Sequence, residues 1–276
     1  MPEDLSVVDA VPTVPLRRWD LGGHRPVLAL HCSLAHAGAW AALADNLTGV
    51  SMTAFDQVGH GKAEDWDGQS NLHDLATSTA IDLAERLGGG APIDLFGHSF
   101  GGTVALRVAM ARPDLVRSLV LVEPVIFAAA QQAGHPEYAP FRAAHLEFAS
   151  VLAKGRREDA AALFHAQWGT GEHLSDLPER QRNYITERIH HIAAQNPFLL
   201  DDSTGLLREG GLESVKVPVL LVEGGESPPI IDAVQSALAA RLPIAKRLIV
   251  PGAGHMVSIT HAAEVGRAVQ DHLAAS

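Results

Sequence analysis

One cysteine, Cys32, is all that the chain contains. An internal disulfide is therefore excluded, and a lone thiol suits a reducing compartment. Positive charge is also scarce. Against 32 Asp and Glu stand 21 Lys and Arg, a formal net charge of −11. So acidic a chain is a poor candidate for nonspecific nucleic-acid binding, which needs basic patches. No apolar run reaches the roughly 18 residues that a membrane helix requires. The opening "MPEDLSVVDAVP" lacks a basic region followed by an apolar stretch, so no secretory signal is expected and a cytoplasmic location is. No repeat of fixed period and no low-complexity tract occurs. No G-x-G-x-x-G follows the first strand, no Gly-Lys-Ser/Thr marks a phosphate loop, and no HExxH pair marks a zinc helix. His190, His191 and Glu187 lack that spacing and read as a polar helix face. Neither a cofactor nor a metal is expected.

What the chain does have is apolar bulk. Hydrophobic residues make up 47% of 276, enough for one large core that hides roughly three quarters of the unfolded surface. Short apolar runs alternate with helical periodicities. "VPLRRWDLGG" and "HRPVLALHC" form two strand-like runs around Gly22 and Gly23, a hairpin signal. "VSMTAFD", "PIDLF", "VRSLVLVEPV", "KVPVLLVEGG" and "AKRLIVPGAGH" read as further strands. Helices are expected over 36–47, 71–87, 231–241 and 261–274, and after the serine at position 99. Strands that are apolar on both faces, separated by helices, imply a mostly parallel central sheet covered on both sides. Residues 127–208 break the alternation, with no β-rich run. Ala160, Leu163, Phe164 and Trp168 fall at helical spacing, as do Tyr184, Ile185, Ile189 and Ile192. This segment is expected to fold as a helical cap over a core made of 1–126 and 209–276. Its apolar stripes read as packing surface, and Phe127, Phe141, Phe148, Phe164 and Trp168 are expected to wall a pocket.

The most informative stretch is "DLFGHSFGG", residues 94–102. A strand runs directly into a helix, and Gly97 and Gly101 flank Ser99 at minus two and plus two. That G-x-S-x-G spacing holds a serine on a strained turn, with Oγ standing proud of the sheet edge.

In order along the chain, "LHCSLAHAGAW", "FDQVGHGKAEDW", "GHSFGG" and "PGAGHM" together resemble the α/β-hydrolases. The resemblance implies an α/β-hydrolase fold with an inserted cap, and a serine nucleophile whose base follows the last strand. Ser99 and His255 match those two positions. The acid that orients the base usually follows the strand "KVPVLLVEGG", but the matching position is Ser227, a departure from the pattern. Two carboxylates could substitute. Glu226 is adjacent, and Glu123 ends the strand after the elbow, where certain haloalkane dehalogenases carry their acid; Glu123 is favoured. The resemblance also implies two backbone oxyanion donors, the N–H groups of Phe100 and of Ser33 in "His31-Cys32-Ser33-Leu34", where Cys32 replaces the usual glycine. Substrate-pocket residues implied are His31, Leu34, Phe127, Phe164 and Trp168. His60 and His98 read as structural, and Cys32 as no rival nucleophile.

The expected activity is hydrolysis of a small ester, lactone, thioester or C–C bond through an acyl-enzyme. An apolar acyl group is the expected partner, with no nucleic acid and no membrane span. Two alternatives share the scaffold. One is a cofactor-free haloperoxidase or acyltransferase using the same triad, and the other is a non-catalytic small-molecule-binding protein. An elbow aspartate would indicate haloalkane dehalogenase or epoxide hydrolase chemistry, and position 99 is serine.

Overall fold

The computed structural model describes residues 14–276. The expectation drawn from the opening segment falls on 1–13 and lies outside the described residues. Six strand elements form one sheet: β1 (Leu16–Leu30), β2 (Val50–Phe55), β3 (Ile93–His98), β4 (Val116–Val122), β5 (Val219–Gly224) and β6 (Ala245–Val250). Their order is β2-β1-β3-β4-β5-β6, and β1 through β6 run parallel along the body of the sheet.

The long element β1 corrects the expected hairpin. Its first arm descends along β2, from Leu16 opposite Phe55 to Leu21 opposite Val50, whereas its second ascends, from Arg25 opposite Val50 to Leu30 opposite Phe55. Met52 is thus paired with both Trp19 and Val27. A strand has one hydrogen-bonding edge on each side, so the two arms flank β2 instead of pairing with each other. The turn between them crosses the end of β2 so closely that a Cβ on Gly23 would lie 2.2 Å from the Gly49 carbonyl oxygen.

Alternation along the strands feeds two cores. Leu28, Leu30, Leu95, Leu119, Leu121, Val219 and Leu221 face one side, against helices Leu72–Gly88, Phe100–Ala111 and Pro229–Arg241. Val27, Ala29, Phe96, Val120, Val122, Leu220 and Val222 face the other, against helices Ala41–Ala44 and Ala262–Ala274. Each fully buried Val, Leu or Phe side chain among them contributes about 1.5–3 kcal/mol of transfer free energy. At the opposite end of the sheet from the elbow, buried Asp94 on β3 takes Arg25, Arg117 and Ser118. A carboxylate there would be costly without such partners.

The expected single helix over 36–47 is broken. A 3-10 turn, Ala37–Trp40, precedes one α-turn, Ala41–Ala44. The cause is local: the Ala37 N–H is taken by Asp56 Oδ1 at 2.7 Å, which fixes the chain before a regular helix can start.

Between β4 and β5 the chain is helical, with no strand among the described residues of 127–208. Its main helices are Tyr138–Ala153, Arg157–Trp168 and Glu179–Arg188. They bury a small cluster of their own, with Phe148, Ala160, Leu174, Leu177, Ile185, Ile189 and Ile192. Leu163, expected on the buried stripe, is 42% exposed.

Candidate active site

Ser99 joins β3 to the helix Phe100–Ala111 with φ 54° and ψ −118°, a conformation that side-chain-bearing residues rarely adopt. The turn is over-determined. The Ser99 N–H donates to the Val122 carbonyl at 2.8 Å, which extends the ladder to β4. Below it, helix and sheet meet at Gly101, where a Cβ would lie 2.3 Å from the Leu30 carbonyl oxygen. Only glycine fits there, which is the physical content of the sequence pattern.

His255 lies in the loop after β6, and its Nδ1 is 2.5 Å from Glu123 Oε2. Glu123 follows β4. Its N–H continues the ladder to the Val222 carbonyl at 2.9 Å, and a φ of 45° then turns the chain away. The other carboxylate oxygen accepts from the Gly224 N–H at 2.7 Å and the Ser227 hydroxyl at 2.5 Å. Burial alone would raise this fully buried acid. The facing His255 and the two donors overcome it and hold the carboxyl below its usual range. Glu226 is exposed, its N–H spent on the Ala253 carbonyl. The structure therefore brings His255 together with Glu123 and not with Glu226. Ser227, standing where the resemblance places an acid, donates to the carboxylate that arrives from β4.

Ser99 and His255 open on one cavity of about 1030 Å³. Cys32, Ser33 and Leu34 line it from the core, as do Asp56 and Met256, and residues from 127–208 supply much of the remaining wall. Of the expected pocket residues, Leu34, Phe127, Phe164 and Trp168 are on that wall, and so is Phe141. Trp168 presents its ring edge-on to His255, centroids 4.8 Å apart. Phe148 is not among the lining residues and packs inside the helical segment. His31 also corrects the expectation: it lies behind the wall. Its Nδ1 bonds the Cys32 carbonyl, its Nε2 accepts from the Gln57 N–H at 3.0 Å, and it braces the loop carrying Ser33. Phe100, the first residue of the elbow helix, is buried, and its N–H belongs to the first turn, where helices leave donors free.

Several contributors carried no sequence signal. Tyr184 donates to the Ala35 carbonyl at 2.9 Å and accepts from the Gly61 N–H at 2.8 Å, pinning the helical segment to two core loops. Gln195 accepts from the Ser33 hydroxyl at 2.7 Å. His145 meets Asn196 at 2.9 Å on the cavity wall. Tyr184 reads in the sequence only as part of an apolar helix stripe, and nothing marks Gln195 or His145.

Several histidines outside the triad pack against one another or bond the backbone. His98 bonds the His255 carbonyl through Nε2 at 3.0 Å; a carbonyl only accepts, so that nitrogen carries the proton. His60 is sandwiched between His31 and His191, and His191 also meets Trp66. Glu187 is paired with Arg188.

Burial pushes His31 down to about 4 and His60, His98 and His191 down to about 3, with neighbouring imidazoles adding to the effect. An unfolded chain protonates all four near pH 6.5, whereas the folded chain does not until pH 4 or below. Between those limits the unfolded state binds more protons, so stability falls as pH falls, by up to about 1.4 kcal/mol per pH unit for each histidine. The depressed carboxyls of Glu123 and Asp94 add loss of the same sign at lower pH. The urea midpoint should therefore drop steadily from pH 7 to pH 5, and less steeply in His60→Leu. A midpoint constant across that window would contradict the burial of neutral imidazoles.

The fold and the serine elbow together define a class, the α/β proteins with a serine on a strained strand-to-helix turn above a parallel sheet. The chain belongs to the alpha/beta hydrolase fold family, whose match covers residues 25–262. Among curated proteins it is 37% identical over 114 residues to the lipase LipV of Mycobacterium tuberculosis, a match spanning 40% of this chain and 41% of that lipase's length. It is 26% identical to a pimeloyl-[acyl-carrier protein] methyl ester esterase of Xanthomonas campestris, over 93% of this chain and 98% of the esterase. Its fold is shared by MenH from S. aureus, with TM-score 0.71, 18% identity and coverage of 95% and 98%. The bromoperoxidase from Bacillus anthracis also shares it, with TM-score 0.70, 21% identity and coverage of 95% and 96%. No helix of the described residues is long and apolar enough to cross a membrane.

Proposed function

We propose that this protein hydrolyses a small ester, lactone, thioester or C–C bond substrate through a Ser99-His255-Glu123 triad and an acyl-enzyme. One observation carries the reading. A buried carboxylate and an imidazole meet at 2.5 Å, and that imidazole shares one cavity with a serine held at positive φ. A serine hydroxyl is a poor nucleophile until a base takes its proton. With Nδ1–H bound to Glu123, the other His255 nitrogen, Nε2, is left to accept that proton. Glu123 stays ionised and stabilises the imidazolium that forms. The N–H groups of Phe100 and Ser33 hold the oxyanion. His255 then returns the proton to the leaving group and activates water against the acyl-enzyme.

Residues 127–208 act as the cap over a core of 1–126 and 209–276. The Phe127, Phe141, Phe164 and Trp168 rings favour an apolar acyl group. The full-length esterase relative is named for a methyl ester of an acyl chain, a chemistry of the same type. The single buried thiol suits the cytoplasm. A panel of p-nitrophenyl esters tests the reading: uncharged acyl groups of intermediate length should turn over best, and acyl groups bearing a charge poorly. A reversed order, or no turnover across the panel, would refute it.

A further inference from the structure

The two ends of the cavity differ in character, and strand order sets them on opposite sides of the serine. Along β2-β1-β3-β4, Ser99 follows β3. Phe127 follows β4, and its ring packs against Phe141 and Trp168 with centroids 4.2 and 5.8 Å away. Toward β2 the wall carries all of its Lys and Arg side chains: Arg17, Lys62 and Arg180. Arg17 is on the first arm of β1, opposite Ala54 of β2. Its guanidinium lies 5.2 Å from the centre of the Trp19 ring, and its Nη1 would be 3.2 Å from a Cβ on Gly38, in the segment after β1. Lys62 is in the loop after β2, where its N–H donates to Asp56 Oδ2 at 2.8 Å. Arg180 stands one turn before Tyr184 on the helix Glu179–Arg188, and the Tyr184 hydroxyl bonds Ala35 and Gly61 in those same two loops. Three elements thus bring three cations to one end of the cavity.

All three side chains are exposed, so a ligand has access to them. None forms an ion pair among the described residues, whereas Arg112, Arg156 and Arg241 elsewhere on the surface each hold a carboxylate. Asp56 is the one carboxylate of the wall, and its two oxygens are taken by the Ala37 and Lys62 N–H groups. A chain with a net charge of −11 therefore presents the opposite sign at this mouth. Unpaired cations focused on a cleft raise the local concentration of an anionic ligand.

We propose that this end of the cavity binds a phosphate carried on the leaving group of the substrate, which makes the substrate class an acyl ester or thioester of a phosphorylated alcohol or thiol. The proposal rests on the hydrolase reading above and supplies the leaving group that it leaves open. The apolar acyl part lies toward β4 against the aromatic rings. The phosphate lies toward β2, two to three strand spacings from Ser99, or about 10–14 Å. Two guanidinium forks and an ammonium match the oxygens of a dianion. The phosphate is a handle only. The acyl C–O or C–S bond breaks, the proton held by His255 goes to the departing oxygen or sulfur, and the phosphate ester stays intact.

The test compares 6-(butanoyloxy)hexyl phosphate with 6-hydroxyhexyl butanoate, which share acyl group and spacer and differ by the phosphate. Wild type should favour the phosphate ester in kcat/KM by roughly 10-fold or more at low ionic strength, and the preference should shrink as salt is added. Arg17→Gln/Lys62→Gln/Arg180→Gln should bring the ratio close to one. Arg86→Gln/Lys154→Gln/Arg267→Gln makes the same change of net charge at exposed positions outside the cavity and should keep the wild-type ratio. No preference in wild type overturns the proposal, as does a preference that survives the first triple variant. An equal fall in both triple variants shows an effect of net charge alone and also overturns it. Ethyl 6-(phosphonooxy)hexanoate, with the phosphate on the acyl side, should gain nothing over ethyl hexanoate; a gain there instead would reverse the orientation and refute the proposal. A calorimetric titration does not depend on turnover. The alcohol product, 6-hydroxyhexyl phosphate, should bind Ser99→Ala protein several-fold more tightly than the same protein carrying the first triple substitution, and equal binding contradicts the proposal. Failure of the hydrolase reading has a different signature, ester turnover that survives in Ser99→Ala.

Discussion

Ser99→Ala should lower kcat on an activated ester by roughly 10⁴- to 10⁶-fold, with KM little changed and the urea midpoint close to wild type. Members of a triad act as one unit, so loss of the nucleophile removes nearly everything that the triad contributes. What is left comes from the oxyanion donors and from binding alone. Relief of the strained backbone does not follow from the substitution, because the geometry at position 99 is imposed by the ladder to Val122 and by the contact at Gly101. A variant that keeps more than about a tenth of the wild-type rate would show that Ser99 is not the nucleophile.

Glu123→Gln should lose roughly 10³- to 10⁴-fold in kcat. The amide is nearly the same size, but it no longer stabilises the imidazolium, and its NH2 group faces Nδ1–H donor to donor unless the imidazole changes tautomer. Glu226→Gln should leave the rate at the wild-type level, since that side chain is exposed. Ser227→Ala removes one donor to Glu123 and leaves the Gly224 N–H and His255 in place. Its cost should be one ordinary hydrogen bond, about tenfold or less. Steady-state kinetics of the three variants provide the comparison. A large loss in Glu226→Gln with little in Glu123→Gln would return the acid to the loop after β5.

The elbow was legible because its requirements are local. A tight strand-to-helix reversal needs small residues at fixed offsets around the serine, and Gly97 and Gly101 stand at those offsets. The alternation of elements was legible because each strand buries both faces and so reads as a continuous apolar run. The choice between Glu123 and Glu226 was harder, because each follows an apolar strand and precedes a turn. What separates them is tertiary. Glu123 ends β4, beside β5, and collects the Gly224 and Ser227 donors across that pair of strands. Ser227 in the expected acid position was the one local hint.

Other features were hidden for physical reasons. The two arms of β1 carry the same strand periodicity whether they pair with each other or flank β2. The break after Trp40 depends on Asp56, which is distant in sequence. His31 stands next to the oxyanion loop in the chain, but its bonds to Cys32 and Gln57 turn it inward. Gln195 lies among helix-forming residues, and nothing in its neighbourhood marks an amide that reaches back to the Ser33 hydroxyl.

The most direct test of the central claim is the site of covalent capture by a fluorophosphonate, which reacts only with an activated nucleophile. Wild-type protein should gain one phosphonyl group by intact mass, located by peptide mapping on Ser99, and Glu123→Gln should label far more slowly. An unlabelled wild-type protein, or an adduct on any residue other than Ser99, would contradict the triad.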